Sequence, residues 1–196
     1  MSDNFRFDVI AAGFSGDSSV ALEALHHDDG TVRASALRAL ARIGTLTAEI
    51  LAPHIQDSHI ETRRTAVELA VPFPLVDVYQ CIDDSDVFVA EMAAWCVGER
   101  TPASDIEIET LIDRTTSHEE AVVREACAAA LGSLGDLRGL PAILAACTDK
   151  PAVRRRAILA LAPFEGEEVD AALQLALEDK DWQVRQNAED LLNPRS

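Results

Sequence analysis

Residues 29–40 read DGTVRASALRAL, from Asp29 to Leu40. Taking Val32 as position zero and turning 100° per residue, Val32, Ala36, Ala39 and Leu40 fall on one face of a helix. The same phrase returns as Thr62-Arg63…Ala66…Ala70, Val89-Ala90…Ala93…Val97, Val123-Arg124…Cys127…Leu131, Val153-Arg154…Ala157…Leu161 and Val184-Arg185…Ala188…Leu192. A recurrence about every 30 residues is the period of stacked helical hairpins, not of one globular core. Position +4 is Ala or Cys in all six copies, which fits helices in close approach.

Working outward, acidic residues stand three to five places before each phrase: Asp29, Asp57, Asp86, Glu119, Asp149 and Asp181. They are the expected helix starts, favoured by the positive end of the helix dipole and, for Asp, by bonds to first-turn N–H groups. Breaks follow at Gly44, Pro72, Gly98, Gly132 with Gly135, and Pro163. A shorter amphipathic helix precedes each phrase, near 18–27, 46–56, 74–82, 104–115, 137–147 and 167–178, and residues 5–13 read as a further short helix. The spacing therefore predicts an all-α, right-handed α-solenoid of six hairpins. Residues 1–17 form an N-terminal cap. Residues 18–196 form one domain, with repeats at 18–44, 45–72, 73–99, 103–134, 136–163 and 166–193.

The pattern Asp-x-x-Val-Arg-x-x-Ala-x-x-x-Leu-Gly, clearest over 29–40, 121–132 and 181–192, resembles the HEAT-like repeat typified by the phycobilisome lyase subunits. That resemblance implies a ladder in which the first-turn arginine pairs with the Asp of a neighbouring inter-helix turn. Arg33, Arg63, Arg124, Arg154 and Arg185 occupy its position, and Ala90 departs from it. It also implies that the second helix of each hairpin lines a concave surface.

Composition excludes several function classes. With 34 acidic and 17 basic residues the formal charge is −17, which repels phosphate backbones; no nucleic-acid partner is expected. No stretch approaches the roughly 20 apolar residues of a membrane span, and no signal peptide is evident, so the chain reads as cytoplasmic and without a membrane partner. Cys81, Cys96, Cys127 and Cys147 contain no CxxC, so they read as small apolar residues and not as zinc or iron–sulfur ligands.

The histidines give no catalytic pattern. His26-His27-Asp28-Asp29 lies in a turn, and neighbours in sequence do not share a helix face. Deoxyhypusine hydroxylase, a HEAT-like enzyme, binds two irons through His-Glu pairs on successive hairpins; here there is one such pair, His118-Glu119. The HEAT-like DNA glycosylases need a basic groove, and the acidic balance argues against that role. No phosphate loop, Ser-His-Asp arrangement or HExxH is present. No catalytic residue, metal or cofactor is expected.

Positions +2 and +6 point furthest from the packed face and define the expected groove. Position +2 is Ala34, Arg64, Glu91, Glu125, Arg155 and Gln186; position +6 is Arg38, Glu68, Trp95, Ala129, Leu159 and Asp190. Met92 flanks Trp95, which is either an exposed binding anchor or a ring laid over the next repeat. Trp182 reads as a packing residue. Within Arg154-Arg155-Arg156, Arg155 and Arg156 form either a solvated helix face or a hold for an acidic partner segment. The last repeat is polar (Gln186, Asn187, Glu189, Asp190), as expected of a terminal cap, so the chain is expected to be complete and soluble. The expectation is a monomeric, non-enzymatic scaffold whose groove holds a protein or peptide. The alternative is a lyase-type accessory protein acting on a chromophore or a modified protein.

Overall fold

Every regular element of the computed structural model, which describes residues 2–193, is helical: twelve α-helices and three 3₁₀ segments. Two compact units divide the chain, one ending at Cys96 and one beginning at Val97. The division falls inside the third repeat of the stretch that the periodicity reads as one domain.

The first unit contains α1 (Ser2–Ser15), α2 (Ser18–Ala24), α3 (Gly30–Ile43), α4 (Ala48–Leu51), α5 (Ile60–Glu68) and most of α6 (Val87–Gly98). The second contains α7 (Asp105–Ser117), α8 (Ala121–Leu134), α9 (Leu140–Ala146), α10 (Pro151–Ala160), α11 (Glu167–Ala176) and α12 (Trp182–Leu192). The repeated phrase lies on α3, α5, α6, α8, α10 and α12. Within the units these second helices pack on one another, α1 on α3 on α5 and α8 on α10 on α12. All six residues of the +4 slot (Ala36, Ala66, Ala93, Cys127, Ala157, Ala188) are fully buried. Small residues there let helix axes approach closely. At Gly132 the approach leaves no room for a side chain, because an added Cβ would stand 2.7 Å from the Cα of Ala160.

The first helices are less regular than the pattern predicts. Proline is the cause, since it removes an N–H donor and clashes with the preceding turn. Residues 46–56 form only α4 followed by a 3₁₀ segment, Ala52–Gln56, that contains Pro53. Residues 74–82, which follow Pro72 and Pro74, hold a single 3₁₀ stretch, Val78–Asp83. Residues 137–147 divide into a 3₁₀ turn, Leu137–Gly139, and α9, with Pro141 in its first turn. The N-terminal helix is longer than expected, 14 residues.

Only some of the expected helix starts are caps. Asp29 and Asp181 cap α3 and α12, accepting from Thr31 N and Gln183 N at 2.9 Å. The caps of α5, α8 and α10 are His59, Glu120 and Lys150. Asp57 and Asp149 sit one or two residues earlier because they serve the arginine ladder. Arg33 binds Asp57 (2.8 and 2.5 Å), Arg63 binds Asp84 (2.7 and 2.9 Å), Arg124 binds Asp149 (2.6 and 2.8 Å) and Arg154 binds Asp179 (2.8 and 2.7 Å). Each guanidinium also donates to carbonyls of its own turn, as Arg124 does to His118 O and Glu119 O. Each carboxylate in turn accepts a backbone N–H just ahead of the following helix, as Asp57 does from His59. One arginine thus ties two successive turns together. In the sixth copy, Arg185 makes the carbonyl half, to Asp179 and Lys180.

The sequence register around Ala90 has a matching change. The turn that follows the arginine-less third phrase carries His118 where other ladder turns carry Asp, and His118 Nδ1 accepts the Glu120 N–H at 3.1 Å. His118 thus takes the backbone-capping part that Asp plays in the ladder turns.

Candidate functional site

The residues expected to line a groove fall into two groups, one in each unit. In the first unit, Arg38 on α3 reaches both Glu61 and Glu68 on α5 at 3.5 Å; Arg38 and Glu68 are exposed and Glu61 is half-buried. Arg64, on α5, places its guanidinium 5.8 Å from the ring centre of Phe88, at the start of α6. Along α6, Trp95 is 45% exposed, and Glu91 and Met92 are half-buried. The +6 position therefore faces solvent in the third repeat, and Trp95 is not laid into the core.

Phe88 was not among the expected residues, yet it is 55% exposed. It precedes position zero of its phrase and so escapes a register of +2 and +6. Its spacing was nonetheless legible, because Phe88, Met92 and Trp95 stand at i, i+4 and i+7 and share a face of α6. Together they make a stripe of two aromatic rings and a thioether, with Arg64 over one end.

In the second unit the expected residues are mostly tied down. Arg155 pairs with Asp181 (Nε to Oδ2, 3.0 Å), and Arg156 reaches back to Glu125 at 3.5 Å. Arg155 therefore does not project freely into solvent; the carboxylate that caps α12 holds it. Burial raises the Asp181 carboxyl, but the Gln183 N–H and Arg155 bonds outweigh it and keep the group below the usual carboxylate range. Leu159 is exposed and Ala129 half-buried.

Two positions differ from expectation. Ala34 is buried, because α1 packs over α3 and Arg6 Nε donates to the adjacent Ser35 Oγ at 3.1 Å. Trp182 is 65% exposed at the first turn of α12 and does not pack as a core residue.

The histidines make local bonds. His54 Nδ1 donates to Ile50 O at 2.9 Å within a shallow depression of about 490 Å³ that also includes His26 and Glu49. His118 Nδ1 is occupied by its turn, and neighbouring Glu119 is exposed, so this pair does not present a metal ligand set. Among the described residues no group of three or more His, Cys, Asp or Glu is arranged to hold a metal ion. No helix among them is long and apolar enough to cross a membrane. Burial raises the Cys81 and Cys147 thiols to about 11, the behaviour of apolar thiols and not of nucleophiles.

Comparison with known proteins agrees with this geometry. Residues 108–193 match the family described as HEAT repeats. No protein of curated function matches the chain by sequence. YibA of Escherichia coli superposes with a TM-score of 0.63 at 17% identity, covering 88% of this chain and 68% of that one. A computationally designed armadillo repeat protein for modular peptide recognition gives 0.57 at 16% identity, covering 88% and 97%. Human deoxyhypusine hydroxylase gives 0.50 at 21% identity, covering 96% and 77%. At these identities the likeness is one of fold. Residues 108–193 thus match HEAT repeats, and the chain has the all-α fold of the HEAT and armadillo repeat solenoids.

Proposed function

We propose that the chain is a non-enzymatic interaction scaffold that holds a protein or peptide segment on the exposed face of its second helices. In the first unit the anchors are Phe88, Met92 and Trp95, with Arg64, Glu91, Arg38 and Glu68 around them. In the second unit Leu159, with Glu125, Arg155 and Arg156, offers a smaller contact.

The observation that carries this reading is the stripe on α6. Two large rings at i and i+7 stay substantially in solvent on a helix whose other faces are core. Aromatic side chains are the residue type most enriched where binding energy concentrates, since they bury much area with few rotatable bonds. A designed armadillo protein of similar fold is built for modular peptide recognition, which makes such a use of the fold physically reasonable. No described surface feature supports the lyase-type role.

The test is affinity capture from the native host with wild type and with a Phe88→Ala/Trp95→Ala variant. A specific partner retained by the wild type and lost by the equally folded variant supports the reading. Equal retention by both would place binding elsewhere.

A further inference from the structure

We propose that the chain self-associates weakly as a two-fold dimer through the outer face of α1. This goes beyond the scaffold reading and depends on a different surface.

Contacts between successive second helices follow one register. Position +2 of one copy meets position +3 of the next: Glu125 with Arg156, and the Arg155 carbonyl with Asn187 Nδ2 at 3.1 Å. Position +9 meets position +7: Gly132 lies against Ala160 and Gly98 against Ala130. Helix α1 obeys both rules toward α3. Arg6 bonds Ser35 at +3, and Gly13 abuts Ala39 at +7, where an added Cβ would stand 3.0 Å from the Ala39 Cα. These contacts place Asn4 at position zero of α1, so α1 is a full member of the stack although its sequence does not carry the phrase.

The register then says which side of α1 is vacant. In α3, Ser35, Ala39 and Arg42 (+3, +7, +10) receive α1, with Arg42 standing 4.1 Å from the ring centre of Phe14. The same slots in α1 are Phe7, Ala11 and Phe14. All three are exposed, Phe7 at 69% and Phe14 at 70%, and Ile10 beside them is also open. A face shaped to receive a helix thus presents two phenylalanines to solvent at i and i+7.

Charge complementarity makes the occupant a second copy. Arg42 lies on the Ile10 edge of this stripe, and its described contact is the Phe14 ring. On the helical wheel Asp8 lies on the opposite edge, exposed, with no hydrogen bond or ion pair among the described residues. A two-fold axis running along the paired helices sets the basic edge of each copy beside the acidic edge of the other and stacks the phenylalanines between them. The contact is isologous, each copy offering the same α1 face, so pairing covers that face on both copies and the assembly closes at two. The patch is short, which places the contact among weak interfaces, below about 1,200 Å² in total. The expectation of a monomer came from a sequence in which this stripe is not marked.

Sedimentation equilibrium on the full chain, from about 10 to about 500 µM, tests this in physiological salt, where a Debye length of about 8 Å screens the mutual repulsion of two acidic chains. The weight-average mass is expected to climb from one chain toward two and stop there. The Phe7→Ser/Phe14→Ser variant is expected to stay monomeric with unchanged helicity. Asp8→Arg should weaken dimerisation several-fold, and adding Arg42→Glu should restore it. A constant monomer mass over the whole range overturns the proposal. So does a dimer that survives Phe7→Ser/Phe14→Ser, or a mass that rises past two. Trp95→Ala leaves the dimer intact, so the two surfaces are tested separately.

Discussion

Arg124 and Asp149 are 25 residues apart and form a two-point bond, Nε to Oδ2 at 2.6 Å and Nη2 to Oδ1 at 2.8 Å. Both side chains are largely shielded, and the guanidinium also satisfies two carbonyls of its own turn. Removing Asp149 leaves a partly buried cation short of its acceptor. Asp149→Ala is expected to cost about 1–3 kcal/mol in urea unfolding. The exposed pair Arg138–Asp105 makes a similar bond at 2.9 Å in open solvent, and Asp105→Ala should cost less than about 1 kcal/mol.

The ladder also sets an acid limit. Burial raises the Asp57 and Asp84 carboxyls, but bonds from Arg33 and Arg63 with backbone N–H groups more than reverse this. At Asp149 and Asp179 the arginine bond is the largest effect and lowers the group directly. All four are held below their ordinary value in the folded chain, so between the folded and unfolded values the unfolded chain binds more protons. This stabilisation is complete above the usual carboxylate range and disappears as pH falls through the lowered values. The urea midpoint should be flat from neutral pH to about 5 and fall below about 4. Asp149→Asn should shallow that fall, and an unchanged slope would assign the acid sensitivity to other carboxylates.

Gly132→Ala tests the close approach of α8 to α10. The new Cβ would stand 2.7 Å from both the Cα and Cβ of Ala160, so backbone must move. Overpacking of this kind is expected to cost about 1–3 kcal/mol despite the gain in helix propensity, lowering the melting temperature. Gly44→Ala, with open space around it but a φ of 82°, separates strain from crowding.

Arg100 and Glu107 form an ion pair whose side chains are almost wholly buried, and Glu107 also accepts from the Ser104 N–H and hydroxyl at 2.8 Å. Arg100→Met strands a carboxylate in the interior and is expected to cost about 3–5 kcal/mol. Arg100→Met/Glu107→Leu should recover part of that loss, read as a coupling energy in a double-mutant cycle.

Trp95→Ala should change stability by less than about 1 kcal/mol, since a single exposed ring contributes little to the core. Leu131→Ala, at a fully buried position, should cost about 2–5 kcal/mol. A loss at Trp95 equal to that at Leu131 would remove its standing as a surface anchor.

The six phrases were enough for the fold because their apolar and small positions recur, and positions zero and +4 are buried in every copy, while Leu69, Leu191 and Leu192 at +7 and +8 are half-buried. The exposure of the expected partner-facing positions was half legible. Trp95, Arg38, Glu68 and Leu159 face solvent as their offsets require, and Phe88 was open to the same reasoning one position before the phrase. Other outcomes depend on which helix lies alongside. Ala34 has the offset of a groove residue, but α1 covers it, and α1 carries no phrase to announce itself. Asp57 and Asp149 read as helix caps, and although the resemblance implied an arginine ladder, the contacts of Arg33 and Arg124 decide that these are its acids. The sequence alone determined a repeating all-α architecture, because helical periodicity is a local property of residues a few places apart. The tertiary structure decided which charges are spent on neighbours and which faces stay open, because those depend on contacts between residues that the repeat sets from 21 to 32 positions apart.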